Sequence, residues 1–249
     1  MHLKVIACEV MARELFHCAA RARNSVDIEL CPQGFHDNAE ICRGELQRRI
    51  DAVDPEQFQA ILLGYFLCSN TVVGVGASRL PLVITRGHDC ITMLLGSKER
   101  YRALFEERPG TYYFSSGWLE YPERGGKRIP YDERSGLAPQ QSYQELVAKY
   151  GEDNAKYVAE MLGGWEQQYT HGALIDFEFI DGLPLEARVR EICAQRGWEF
   201  IRIPGDLTLI QRWLDGDWSD DDFLVLQPGQ RIAAAHDERI VRAAEEPPS

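Results

Sequence analysis

Long apolar runs are missing from this sequence of 249 residues. Its longest continuous apolar runs are short and typical of strands, far below the roughly 20 residues that a membrane helix needs. The first residues lead directly into a strand pattern and contain no apolar segment of signal-peptide length. The sequence therefore predicts no membrane association and no export.

Positive charge is also scarce, because 27 lysines and arginines stand against 39 aspartates and glutamates, which gives a net charge of −12. A general nucleic-acid-binding protein needs clustered basic side chains to neutralise phosphates. We therefore expect no nucleic-acid partner, and a small molecule is the expected ligand.

The sequence contains no Cys-x-x-Cys pair, and its seven cysteines are an odd number. Disulfide scaffolds are shorter and richer in cysteine than this chain. The thiols are therefore expected to be free, in the reducing environment of the cytoplasm.

What is present is a regular alternation of strand and helix patterns in the first hundred residues. Strands separated by helices imply right-handed crossovers and a parallel sheet. The sequence thus predicts an α/β fold with a parallel, Rossmann-like sheet in its N-terminal half. The predicted strands cover residues 3–7, 26–30, 60–67 and 82–85, and helices are predicted over 12–23, from 37–38 to 53, and from Asp89 to 105.

A second α/β lobe is predicted after a loop-rich connection that contains several glycines and prolines. Long loops in compact domains are often functional, so the connection, with Tyr112 and Trp118, is predicted to cover the site as a lid or to form a core-packed aromatic patch. The predicted division is 1–108 for the N-terminal lobe with the site, 109–136 for the connection, 137–242 for the C-terminal lobe and 243–249 for a disordered tail.

Four cysteines occupy or follow the predicted carboxyl ends of the N-terminal strands. They are Cys8, Cys31, Cys68 and Cys90. Ligands of parallel sheets bind outside the carboxyl ends of the strands, so these thiols are expected at one edge. The other three cysteines, Cys18, Cys42 and Cys193, lie in helical patterns and are expected to be core residues.

Thiolates at such an edge are suited to zinc or to an iron–sulfur centre. Cys8, Cys68 and Cys90 are the predicted ligands of one metal centre, either zinc or [4Fe-4S]. His88 is the candidate for the fourth position. Cys90 would begin a helix, whose N-terminus lowers a thiol pKa. We therefore expect a metal-dependent enzyme or a metal-centre protein.

Other polar groups are predicted around this centre. His88, His36 and Arg86 are candidate catalytic residues, of which Arg86 is expected to pair with an anionic ligand or with an acidic side chain. Asn70 and Gly74 belong to a small-residue segment whose backbone amides are suited to holding an anion.

Two alternatives remain open. One is a metal-free thiol enzyme with Cys90 as the nucleophile and His88 or His36 as the base. The other is a non-catalytic accessory protein that binds or delivers a small ligand or a metal.

Several stretches resemble a prokaryotic family known only as a domain of unknown function, number sixteen thirty-eight in that series. The similar residues are 64–70, 81–91, 95–97, 109–113, 205–207 and 228–232. The motif around His88 and Cys90 is the most specific part of the resemblance.

The resemblance implies functional roles for Cys8, His36, Cys68 and Cys90, whereas Cys31 matches no cysteine of the family pattern. The sequence departs from that pattern at Phe66 and Ser69, where the family usually has glycine. Members resemble neighbours of corrinoid-dependent methyl-transfer systems, which implies such a system as a partner in one-carbon metabolism.

Overall fold

The computed structural model describes residues 1–33, 39–68, 70–120 and 169–245. The first described elements are β1 (His2–Cys8), α1 (Ala12–Ala19), β2 (Ser25–Cys31), α2 (Ala39–Asp51), β3 (Ala60–Gly64), β4 (Leu82–Thr85), α3 (Cys90–Leu95), α4 (Lys98–Glu107), β5 (Thr111–Phe114) and α5 (Ser116–Glu120). The later ones are β6 (His171–Asp176), α6 (Leu185–Arg196), β7 (Glu199–Pro204), α7 (Thr208–Asp215), β8 (Phe223–Leu226), β9 (Gln230–Ala234) and β10 (Val241–Glu245).

A five-stranded sheet in the order β2-β1-β3-β4-β8 forms the centre of the N-terminal half. The pairs β1–β2, β1–β3 and β3–β4 are parallel, and β8 joins β4 in the antiparallel direction. The predicted parallel α/β sheet is therefore confirmed, and its first four strands end at the same edge.

Burial explains why these segments became strands. All residues of β3 and β4 are buried, as expected for parallel strands that are covered on both faces and have continuous apolar sequences. By contrast, β2 lies at the end of the sheet and alternates between more and less exposed residues in its first half.

The helix predicted from Asp89 to residue 105 is wrong as a single element. Gly96, with a φ of 80°, ends α3, and α4 begins two residues later. This left-handed conformation favours glycine. In addition, a Cβ at this position would lie 2.7 Å from the Asp206 Cβ, so the break leaves room for that side chain.

A second sheet has the order β5-β6-β7. Strands β5 and β6 are parallel, with Thr111 opposite His171. Tyr112 packs against Tyr169 and Trp198, with ring centroids 5.3 and 5.8 Å away. Tyr112 thus belongs to an aromatic cluster, while residues 121–136 of the predicted lid lie outside the described part of the chain.

The chain divides into two compact units, each of which is discontinuous in sequence. One comprises residues 1–103, 175–179 and 204–249, and the other comprises 104–174 and 180–203. The segment that contains α7 and β8 thus belongs to the same unit as the N-terminal strands, whereas the sequence pattern assigned it to a separate C-terminal lobe.

Some predictions fall outside the described residues. They concern the start of the helix predicted from residues 37–38 and residues 246–249 of the predicted disordered tail, whose residues 243–245 instead belong to β10. Among the described helices, none combines the length and the apolar character that a membrane crossing requires.

Candidate thiol site

Two thiols meet at the carboxyl ends of the neighbouring strands β1 and β2. Cys8 and Cys31 are the last residues of their strands and are register partners in the parallel pair. Both side chains are buried. Adjacent parallel strands lie about 4.8 Å apart, so the two residues are close neighbours at this edge.

Two further thiols lie on the segments that follow β3 and β4. The backbones stay side by side after the strands end, because the Leu67 N–H donates to the Gly87 carbonyl (3.4 Å) and the Cys68 N–H to the His88 carbonyl (2.8 Å). Cys90 then begins α3, whose first turn is capped by the Asp89 carboxylate, which accepts from the Ile91 N–H. Cys68 therefore lies beside the turn that carries Cys90.

Cys8, Cys68 and Cys90 influence one another electrostatically. The pKa values of Cys8 and Cys68 are both raised to about 12, chiefly by burial, and in the case of Cys8 partly by Cys68. The pKa of Cys90 is raised well above its usual value by burial, then by Asp89, Cys68 and Cys8. The three predicted metal ligands are thus coupled although 60 or more residues separate Cys8 from the other two.

The expectation that the helix N-terminus lowers the pKa of Cys90 is wrong in sign. Desolvation of the thiolate and the negative charge of Asp89 dominate. The helix α3 has only six residues, and its first N–H groups already have the Asp89 carboxylate as an acceptor.

Cys42 is a member of this cluster that the sequence did not reveal. Its thiol pKa is raised to about 12 by burial and by Cys31, and Cys42 in turn raises the pKa of Cys68. In α2 the buried residues are Cys42, Leu46 and Ile50, so the cysteine shares the apolar face of its helix. That pattern predicts a core residue equally well, which is why sequence alone could not identify it.

Tyr65 lies beside these thiols and is coupled to them. Its hydroxyl donates to the Pro32 carbonyl (3.5 Å), and Tyr65 lowers the pKa of the Cys31 thiol against the larger effect of burial. Burial, followed by the charges of Cys8 and Cys31, raises the pKa of the Tyr65 hydroxyl. The residues Cys8, Cys31, Cys42, Cys68 and Cys90, together called the thiol cluster below, thus form one connected set.

Cys68 has a backbone φ of 35°, in the left-handed region that favours glycine. We therefore expect the Cys68→Gly variant to be more stable than Cys68→Ser by about 1 kcal/mol, since both lack the thiol and only glycine relieves the strain. Chemical denaturation of the two variants measures the difference. Equal stabilities would show that the conformation is not strained.

Arg86 pairs with an acidic side chain, which was one of its two predicted roles. Its buried guanidinium donates to the Asp220 carboxylate (2.7 Å), to the Asp220 carbonyl (2.7 Å), and to the carbonyls of Arg239 (3.3 Å) and Val241. These contacts connect the end of β4 to the residue Asp220 before β8 and to the C-terminal hairpin, in which β9 and β10 pair in the antiparallel direction. Arg86 therefore has a structural role.

The segment with Gly74 is likewise engaged by the hairpin. The Gly74 N–H donates to the Ile232 carbonyl (2.8 Å), and the Gly76 N–H donates to the Gln47 side chain (2.8 Å). These amides are therefore occupied rather than directed at an anion. Asn70 has a left-handed φ of 69°, and its carbonyl accepts from Arg43.

His88 is exposed, and its carbonyl is the acceptor for Cys68. His36 lies outside the described residues. In the ranges that the structure describes, no group of three or more His, Cys, Asp and Glu side chains has an arrangement that could hold a metal ion.

A cavity of about 320 Å³ lies between α1 and α7, lined in part by His17, Cys18 and Arg21, and no member of the thiol cluster lines it.

The fold and the site define an α/β protein with thiols collected at the carboxyl edge of a parallel sheet. The family model described as "Protein of unknown function (DUF1638)" matches residues 30–214, and the chain belongs to that family. The match includes Cys31, Cys42, Cys68 and Cys90, whereas Cys8 precedes it. No curated protein and no solved structure matches the chain.

Proposed function

We propose that the chain is a metal-dependent enzyme or a metal-centre protein whose centre is bound by Cys8, Cys68 and Cys90. The observation that carries the proposal is that Cys8 ends β1, while Cys68 and Cys90 lie side by side on the segments that follow β3 and β4 at the same sheet edge. Thiols brought together without a cation raise one another's pKa, whereas a soft metal stabilises the thiolates and releases their protons. Three cysteine ligands leave one coordination position for a further ligand or a substrate.

The bound group in this proposal is zinc or a [4Fe-4S] cluster. Zinc would activate a thiol or a water as a nucleophile, and a cluster with three cysteine ligands would expose one iron to substrate. The alternative with Cys90 as an activated nucleophile is disfavoured. The raised pKa of Cys90 keeps it protonated near neutral pH, and the thiolate is the reactive form.

Purification without oxygen, followed by metal analysis and visible spectroscopy, tests the proposal. We expect one centre per chain, with visible absorption if it is iron–sulfur. Cys8→Ser, Cys68→Ser and Cys90→Ser should each lower metal content about tenfold or more, because each removes a direct ligand.

The matched control is Cys193→Ser, because this cysteine lies in the other compact unit and donates to the Gly172 carbonyl. It should retain full metal content. The proposal fails if the wild-type chain binds neither zinc nor iron and sulfide after reconstitution, or if the three cluster variants bind metal as well as this control.

The same proposal includes a cytoplasmic location and a corrinoid methyl-transfer system as the partner. All seven cysteines are free, which supports a reducing compartment. The partner follows from the family resemblance alone. Anaerobic affinity purification against an isolated corrinoid protein, with bovine serum albumin as the reference, tests it, and equal retention of both would contradict it.

A further inference from the structure

Gln33 is a polar side chain at the same sheet edge that the proposed metal centre does not use. It is completely buried, with 0% of its surface exposed. Within the described residues, neither its amide oxygen nor its amide nitrogen has a hydrogen-bond partner. Native proteins contain few such groups because a buried amide without partners is destabilising, so its retention requires an explanation.

The position of Gln33 connects it to the thiol cluster. It follows Cys31 by two residues, and Cys31 is the register partner of Cys8. The Gln33 backbone N–H donates to the Glu9 carboxylate (3.0 Å), and Glu9 directly follows Cys8. The two strand ends that carry Cys8 and Cys31 are therefore joined through the Gln33 backbone, which places this residue at the same sheet edge.

We propose that the thiol site binds a ligand with a neutral carboxamide group and that Gln33 recognises this group. The inference takes the location of the site from the proposed function and adds the class of ligand. A glutamine side chain presents one acceptor and a pair of donors. A carboxamide presents the complementary set, so two hydrogen bonds would satisfy both unpartnered atoms of Gln33.

The charges at this edge favour a neutral ligand over a carboxylate. Glu9 is beside Gln33, and Asp89 acts on Cys68 and Cys90. The basic side chains that act on the cluster are engaged, since Arg49 donates to Glu29 (2.5 Å) and Arg43 to the Asn70 carbonyl (3.4 Å). A carboxylate would be repelled by the two acidic side chains.

Iodoacetamide and iodoacetate provide a matched pair of probes, because they differ only in a carboxamide or a carboxylate. The full chain is reduced and treated with a chelator, and labelling of each cysteine is followed by mass spectrometry at pH about 10, because burial raises the pKa of Cys8 to about 12 and that of Cys31 to about 11. In each reaction a thiolate attacks the methylene carbon, a C–S bond forms and iodide leaves. Glutathione gives the intrinsic preference between the two reagents.

We expect the ratio of the iodoacetamide rate to the iodoacetate rate to be about tenfold higher at Cys8 or Cys31 than at the glutathione thiol. This is the size expected for two neutral hydrogen bonds. Gln33→Leu should remove this additional preference and leave the iodoacetate rate unchanged. Propionamide should slow labelling of the wild-type chain by iodoacetamide and have no effect on that of Gln33→Leu. Gln195→Leu, on the exposed surface of α6, is the control and should behave as wild type.

The inference is overturned if the wild-type chain and Gln33→Leu show the same preference for iodoacetamide over iodoacetate. It is also overturned if neither reagent labels the thiol cluster. Gln33→Met, which keeps the length of the side chain, replaces Gln33→Leu if the latter does not fold. Metal content separates this inference from the proposed function. If the chain binds no metal and the preference persists, only the metal proposal fails. If metal is bound normally and no preference exists, only the carboxamide inference fails.

Discussion

Replacing Gly64 by alanine is expected to lower the free energy of unfolding by about 3 kcal/mol, at the upper end of the cost of overpacking a core. Gly64 is the last residue of β3 and pairs with Ala7 of β1. An added Cβ would lie 2.5 Å from the Ala7 Cβ and 3.3 Å from the ring of Trp213. The contact with Ala7 is not possible without movement of the central strands, and the Trp213 ring would have to shift by a few tenths of an ångström. Urea denaturation measures the loss.

Gly44→Ala is the matched control for this substitution. Gly44 lies inside α2, and a Cβ there would meet no atom within 4 Å. Alanine should stabilise the helix by about 1 kcal/mol. The double variant Ala7→Gly/Gly64→Ala should recover part of the loss, because it removes the opposing Cβ. A Gly64→Ala variant as stable as wild type would show that the strands can separate at this edge.

Arg86→Met is the second substitution with a large expected effect, because it should lower the free energy of unfolding by about 3 kcal/mol. The guanidinium is 2% exposed and supplies donors to three backbone carbonyls and to the Asp220 carboxylate. Methionine fills similar space without donors, so the carbonyls, that of Val241 above all, lose their partner. Thermal and urea denaturation of the full chain measure the effect.

The comparison variant is Arg102→Met, because Arg102 pairs with Glu238 on the surface at 3.1 Å with both side chains largely exposed. Arg102→Met should lower the free energy of unfolding by less than about 0.5 kcal/mol. Equal effects of the two arginine substitutions would contradict the structural role of Arg86.

Acidification should narrow the stability difference between wild type and Arg86→Met. The Arg86 guanidinium holds the pKa of Asp220 below its ordinary value. This contribution to stability is therefore complete above the unfolded pKa of about 4 and is lost as the pH falls through the lower folded pKa. Denaturation at a series of pH values tests this, and a difference that is constant down to the acid range would contradict it.

The N-terminal sheet could be predicted because local sequence patterns determine its strands. Strands with continuous apolar sequences and short intervening helices leave few alternatives, and Cys8 and Cys31 proved to be strand ends. The position of Cys68 and Cys90 beside each other follows from the same topology. The position of β8 could not be obtained in this way, because no local pattern shows that a strand at Phe223 pairs with Leu82–Thr85.

The parts of the site that the sequence did not predict also depend on contacts between residues far apart in the chain. Cys42 has the same periodic position as an ordinary core residue, and only the tertiary structure brings it to Cys31. The partner of Arg86 lies 134 residues away in the chain. Gln33 became notable only when its burial and its lack of partners among the described residues were known.

The antiparallel strand β8 has a consequence for the nascent chain on the ribosome. Strand β4 is synthesised early, but its outer edge has no partner until β8 emerges, and Arg86 must wait for Asp220 across 134 residues. At bacterial or eukaryotic elongation rates this delay is on the order of 10 seconds. During that interval an apolar strand edge is open to pairing with another chain, so chaperone dependence should concentrate in this window of synthesis.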